Sequence, residues 1–178
     1  MIGGYTMLEV GDYTMYGSNG VCKVMEIGHL DISCIDKSKI FYTMQPVYAK
    51  RSTVYTPVDN AKGVMRNILS KAEAWELIDD IPSIPIFCEE TDKRLELKLK
   101  EAMKKYDCWE WIKVIKTLYS RKEERSLQGK KITGTDEKYL QTAEDFLFGE
   151  LSISLNISKD KIEDLISERL KVIELSKN

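Results

Sequence analysis

The hydrophobic pattern of this 178-residue chain changes its period near residue 65. Before that point, short runs rich in β-branched and aromatic residues alternate with glycine-containing breaks, which is typical of β-strands. After it, apolar residues recur at intervals of three and four, which is typical of amphipathic helices. A run of strands followed by a run of helices predicts an α+β chain with separate β and α modules.

The first part of the chain contains four or five strand-like runs and no helical segment. These runs are LEVGDYTMY, VCKVMEIG, KIFYTMQPVY and STVYTPV. Gly17-Ser18-Asn19-Gly20, between the first two, supplies the residues that a hairpin turn needs. So many short strands within about 50 residues predict a small antiparallel β-barrel of SH3 or Tudor type, which we expect to stay open at one edge.

Capping patterns place the helix starts in the second part. The predicted starts are Ser70 with Glu73, Thr91 or Asp92, Asp107 with Glu110, Thr135, and Ser158. Gly129 is the predicted stop of the third helix. The segment IPSIPIFCEE carries two prolines without a helical period, which indicates an extended linker. We therefore expect a β domain at 1–65, a short helix and linker at 66–90, and an all-α bundle at 91–178.

Charge is distributed unevenly along a chain whose net charge is only −2. Residues 91–131, called the basic island below, hold thirteen basic side chains against seven acidic ones. A local excess of positive charge in an acidic protein is the footprint that nucleic-acid phosphates select. The alternative is a solvated helical surface whose lysines only keep the bundle soluble. Composition alone does not decide between a phosphate-binding surface and a solubilising one.

The sequence offers no convincing catalytic or metal-binding constellation. Four cysteines without a CxxC pair and a single histidine, His29, argue against a zinc site or a disulfide framework. No apolar run approaches the roughly 20 residues of a membrane span, and the N-terminus lacks the pattern of a secretory signal. We expect a cytoplasmic protein that is not an enzyme and needs no cofactor.

Trp109 and Trp111 stand two positions apart on a predicted helix. Residues at that spacing cannot both face one core, so we expect one to be buried and the other exposed. The exposed ring could anchor a partner, stack on a base, or pack at a helix boundary.

Several short motifs occur in order between about Leu8 and Leu155. They are Val10-Gly11-Asp12-Tyr13, Met15-Tyr16-Gly17, Gly20-Val21, Tyr55-Thr56-Pro57-Val58, Arg121-Lys122-Glu123-Glu124-Arg125 and Gly149-Glu150-Leu151. In combination they resemble the CarD/CdnL family of bacterial transcription regulators. The likeness begins near Met7 and leaves residues 1–6 unmatched.

The resemblance implies a Tudor-like module similar to the polymerase-interacting domain of transcription-repair coupling factors. Such a module binds the β subunit of RNA polymerase by pairing sheet edges, which here implicates the strands Lys39–Tyr48 and Ser52–Pro57. The expected contact residues are Tyr42, Thr43, Met44, Thr53, Val54 and Tyr55. Leu30 and Tyr55 stand where some members carry arginines, so we expect a less charged contact.

The resemblance also implies that the helical domain contacts promoter DNA and stabilises the open complex. The expected DNA contacts are Lys93, Arg94, Lys98, Arg121, Lys122 and Arg125, which would hold phosphates rather than read bases. Family members insert a tryptophan into the minor groove at a position that falls at Cys88 to Thr91 here. Phe87 is the nearby aromatic residue, and it is either the wedge or a packing residue beside Ile84 and Ile86. The alternatives are a protein-only adapter and, less favoured, a small-molecule enzyme housed in the bundle.

Overall fold

The structure, a computed structural model, describes residues 7–32, 36–49, 51–60, 65–88 and 91–176. The chain divides into two compact units, Met1–Ile68 and Leu69–Asn178. The first unit carries the strands and the second carries the α-helices, so the predicted α+β class is confirmed. Residues 1–6, Cys34, and positions 89 and 90 of the expected wedge region lie outside the described residues.

Where the structure describes the first unit, it forms a five-stranded antiparallel sheet. Its strands are β1 (Tyr13–Tyr16), β2 (Val21–Gly28), β3 (Phe41–Pro46), β4 (Val54–Pro57) and β5 (Met65–Asn67). The strand order across the sheet is β4-β3-β2-β1-β5. The predicted small antiparallel β module is confirmed. The fifth strand lies beyond the predicted runs, because three residues with one apolar member carry no readable alternation.

Glycines make the β1–β2 connection, as predicted. Gly17 and Gly20 both have positive φ, at 47° and 70°, a backbone region that glycine enters without steric cost. The module's core is built from the inward-facing side chains of the strands, among them Val24, Tyr42 and Met44. These residues are fully buried, so the sheet has a distinct inner and outer face.

The described residues of the second unit form five α-helices. They are α1 (Lys71–Asp80), α2 (Asp92–Lys104), α3 (Cys108–Leu127), α4 (Gly134–Leu155) and α5 (Ile162–Leu175). The Ser70–Glu73 capping box is complete, and the side chains of Thr91 and Asp107 cap α2 and α3 as predicted. Four of these described helices lie after residue 91, in the expected all-α bundle. Small shifts occur at two starts: Thr133 caps α4 rather than Thr135, and a 3₁₀ turn separates Ser158 from α5.

The proline-bearing segment is packed against α3 instead of forming an extended linker. Ile81 and Ile84 are buried, and Ile81–Ser83 forms a 3₁₀ turn. The ammonium of Lys116 donates to the carbonyls of Ile81 at 2.7 Å and Ile84 at 2.5 Å. The segment belongs to the helical unit, because a lysine on α3 donates hydrogen bonds to its backbone carbonyls. The boundary between the two units therefore falls after Ile68, and residues 66–90 do not form a separate region.

A fully buried carboxylate explains the Gly149-Glu150-Leu151 motif. Glu150 on α4 accepts hydrogen bonds from the Leu69 N–H at 2.9 Å and from the Cys108 thiol at 3.1 Å. These bonds join α4 to α3 and to the first residue of the helical unit. Trp111 is also buried, with its ring 5.2 Å from that of Phe146, whereas Trp109 is 42% exposed, as the two-residue spacing predicts.

Candidate interaction surfaces

The outer strand β4 offers an unpaired backbone edge. Its one neighbour within the described residues is β3. The Val58 N–H donates to the Ile40 carbonyl at 2.9 Å, and the same antiparallel register continues through β4. Because hydrogen-bonded and non-bonded pairs alternate, the backbone groups of Tyr55 must point away from β3. Pro57 points the same way but has no N–H, so the free donor edge is confined to Tyr55 and the residues before it.

The structure separates the six expected partner-binding residues into two groups. Tyr42 and Met44 are core residues, and Val54 packs against that core. Strand β3 is paired on both sides, so the expectation that it offers a free edge is wrong. Thr43 and Tyr55 form a cross-strand pair on the outer face, which leaves them, with the exposed Thr53, available for contact.

Glu26 extends this outer row and was not predicted. It pairs with Thr43 across β2 and β3, directly after a register shift at Met25. The shift is a β-bulge, which reverses the inward and outward alternation of the strand. A bulge leaves no signature in the hydrophobic pattern, so the row Glu26–Thr43–Tyr55 on the outer face could not be predicted from sequence.

Five cations on α2 form an open positive surface, called the α2 basic face below. They are Lys93, Arg94, Lys98, Lys100 and Lys104, all of which are exposed. The opposite side of α2 is buried through Leu95, Leu99 and Ala102. Lys93, Arg94 and Lys98 have no ion-pair partner in the described part of the chain. Their charges are therefore available to an external anion such as a phosphate.

The expected DNA contacts on α3 are largely engaged within the helical unit. The Arg121 guanidinium bridges the carboxylates of Asp92 at 3.0 Å and Asp136 at 2.9 Å. The Arg125 Nε donates to the Lys131 carbonyl at 2.9 Å, which fastens the turn after α3. Lys122 is exposed and lies over the ring of Tyr119. The structure thus gives Arg121 and Arg125 structural bonds in place of the free charges that the sequence indicated.

We expect Arg121→Ala to destabilise the protein by about 2 kcal/mol, because it leaves the buried carboxylate of Asp136 without its cationic partner. Thermal unfolding followed by circular dichroism should show a Tm lower by several degrees. Lys122→Ala is the matched control, since it removes a neighbouring but exposed cation and should leave the Tm within about a degree. Equal Tm values for the two variants would contradict the structural role of Arg121.

Phe87 is half-buried, and its backbone N–H donates to the Thr117 Oγ1 at 2.9 Å. The bond fixes the chain just before α2 against α3. Among the residues that the structure describes, no three His, Cys, Asp or Glu side chains are grouped to hold a metal ion. No helix among them has the length and hydropathy to cross a membrane.

Comparison with protein families assigns both units. Residues 8–69 match the CarD-like/TRCF RID domain, and residues 90–167 match the CarD C-terminal domain. A search of the curated proteins found no significant match. The two matches define a transcription-associated protein that interacts with RNA polymerase. The chain belongs to the CarD/CdnL family, whose members are non-enzymatic transcription factors.

Proposed function

We propose that the protein binds the β subunit of RNA polymerase through the edge of β4 and promoter DNA through the α2 basic face, and so stabilises the open promoter complex. The observation that carries this proposal is the free backbone edge at Tyr55 in a domain of the polymerase-interacting type. The protein acts in the cytoplasm, on the nucleoid. Co-elution of the full-length protein with core polymerase, and its retention on promoter DNA, test the two halves.

The contact with polymerase is an added strand. A partner segment that pairs with β4 gains backbone hydrogen bonds from the outward N–H and C=O of Tyr55. The Tyr55 side chain, 42% exposed and opposite Thr43, supplies apolar area beside those bonds. Pro57 limits the pairing because it offers no donor. The strand β5, at the other edge, has only three residues and is the weaker candidate.

The contact with DNA is electrostatic. Lys93, Lys100 and Lys104 recur at helical spacing along one line of α2, and Arg94 and Lys98 lie beside that line, with Leu97 between the two groups at 54% exposure. Cations in this arrangement hold the phosphates of one strand without reading bases, and Leu97 can rest against the sugars between them. Affinity is then modest and sensitive to salt.

A second candidate function is a protein-only adapter that makes no DNA contact. It is favoured by the bonds that engage part of the basic island: Arg121 binds two aspartates, and Lys105 and Lys113 both bind Glu110. Fluorescence anisotropy of the full-length protein with a labelled duplex separates the candidates. Binding that weakens steeply with salt supports the DNA contact, and the absence of binding at low salt supports the adapter.

We expect Phe87→Ala to leave affinity for a linear duplex within about twofold while weakening retention on a fork-junction promoter by about tenfold. An apolar wedge enters a base step at a cost of a few kcal/mol, so it contributes only where the duplex is already distorted. Anisotropy with both DNA substrates measures the difference, and Phe87→Trp should restore or strengthen fork binding. If Phe87→Ala instead lowers the Tm by several degrees and weakens both substrates equally, Phe87 is a packing residue.

A further inference from the structure

The helical unit contains an open cavity that neither the β4 edge nor the α2 basic face uses. It has a volume of about 570 Å³ and lies between α3, α4, α5 and the segment before α2. Its walls are mainly aliphatic, with Ile112, Ile115, Leu147, Ile166 and Leu170 among them. Volume and lining both fall in the range of pockets that bind small molecules.

Lys116 lies at the cavity wall, and its ammonium group already makes hydrogen bonds within the protein. The Lys116 ammonium donates to three backbone carbonyls, those of Ile81, Pro82 and Ile84. Burial lowers the pKa of Lys116 below its usual value. Since an ammonium has three N–H donors, Lys116 has none left for an anionic ligand.

Two carboxylates at the cavity, in contrast to Lys116, form no ion pair within the described residues. They are those of Glu123 and Glu163, which both line the cavity. Tyr119, also at the wall, donates its hydroxyl to Glu144 at 2.9 Å. Burial raises the pKa of Glu144 above its usual value, and the charge of Glu163 adds to the rise. Lys122, over the Tyr119 ring, offsets this negative potential only in part.

We propose that this cavity binds a small amphipathic cation, with an apolar tail against the isoleucines and leucines and an ammonium-type head beside Glu123 and Glu163. The aliphatic walls select the tail through apolar burial. The unpaired carboxylates select the sign of the head group, because an anionic head would meet two like charges and no free donor of Lys116. The occupant is thus a cationic small molecule rather than a nucleotide or a fatty acid.

Three probes of equal chain length test the sign of the head group: octylammonium, 1-octanol and octanoate, each below its aggregation concentration. The full-length protein, labelled at isoleucine methyl groups, is titrated with each probe by NMR. We expect saturable shifts at Ile112, Ile115 and Ile166, with octylammonium binding about fivefold more tightly than octanol and octanoate the weakest, as partly exposed charge pairs allow. Absence of saturable shifts at these residues, or octanol binding as tightly as octylammonium, overturns the proposal.

Variants locate the effect. The double variant Glu123→Gln with Glu163→Gln should bring the affinity for octylammonium down to that for octanol while leaving octanol affinity unchanged. Glu101→Gln, an exposed carboxylate on α2, is the control and should keep the full preference. Leu170→Trp should fill the cavity and weaken all three probes. A preference for octylammonium that survives in the double glutamine variant contradicts the assignment of the head-group site, whatever the outcome with Leu170→Trp.

Discussion

Tyr55→Pro is expected to abolish binding of the full-length protein to RNA polymerase. The Tyr55 N–H points away from β3, so proline removes a donor that the partner strand needs and leaves the β3–β4 ladder intact. A partner carbonyl left unpaired in the interface costs about 1–3 kcal/mol, and the loss of its neighbours in the ladder adds to this. Thr53→Pro, at the entry to β4, should have a similar effect. Biolayer interferometry with immobilised core polymerase measures both affinities.

The control variants separate the contribution of the Tyr55 backbone from that of its side chain. They also separate the β4 edge of the sheet from the β5 edge. Tyr55→Ala keeps the N–H and loses the ring, so it should weaken polymerase binding less than Tyr55→Pro does. Asn67→Pro, which removes a backbone N–H on the opposite edge strand β5, should bind like the unmodified protein. Thermal unfolding of each variant establishes that the sheet has formed. Polymerase affinity within twofold of the unmodified protein for both proline variants would contradict the assignment of β4.

The triple variant Lys93→Gln, Arg94→Gln and Lys98→Gln is expected to lose most of its DNA affinity at low salt. Each phosphate contact that is lost should lower the slope of log K against log salt by about 0.9 on duplex DNA. All three side chains are exposed on α2 and should leave the fold unaffected. Anisotropy titrations with one duplex at four or five salt concentrations give both the affinity and the slope.

A charge-matched control distinguishes local contact from overall charge. Lys138→Gln, Lys161→Gln and Lys171→Gln also remove three exposed cations, but from outside the basic island. This control should keep a slope close to that of the unmodified protein. Equal losses in the two triple variants would mean that the protein attracts DNA through its general charge and not through the α2 basic face.

The elements of this fold are readable from sequence because their signals are local. The Ser70–Glu73 capping box needs four consecutive residues, and the hairpin at Gly17 needs a turn that tolerates positive φ. The position of a strand within the sheet is not local information. In β3, Phe41, Tyr42, Met44 and Pro46 are all buried, so its pattern cannot show that β2 and β4 lie on either side of it.

Whether a cation is free or held in an ion pair is likewise not local information. Arg121 and Lys122 are adjacent in sequence and carry the same charge, yet one is bound by two aspartates and the other is exposed. The difference depends on Asp92 and Asp136, which reach α3 from the starts of α2 and α4. Only tertiary packing brings these carboxylates to Arg121, and it therefore moves the candidate DNA surface from α3 towards α2.

Site-specific photocrosslinking tests the central claim most directly. A photoreactive phenylalanine analogue is placed at Tyr55, on the β4 edge, or at Val172, an exposed position on α5, in the otherwise unmodified full-length protein. Each protein is irradiated in complex with RNA polymerase, and mass spectrometry identifies the crosslinked subunit. We predict a crosslink from position 55 to a segment of the β subunit. We predict no crosslink from position 172 to the same segment. A complex that forms normally but gives no crosslink from position 55, or crosslinks it to another subunit, would contradict the proposed mode of binding.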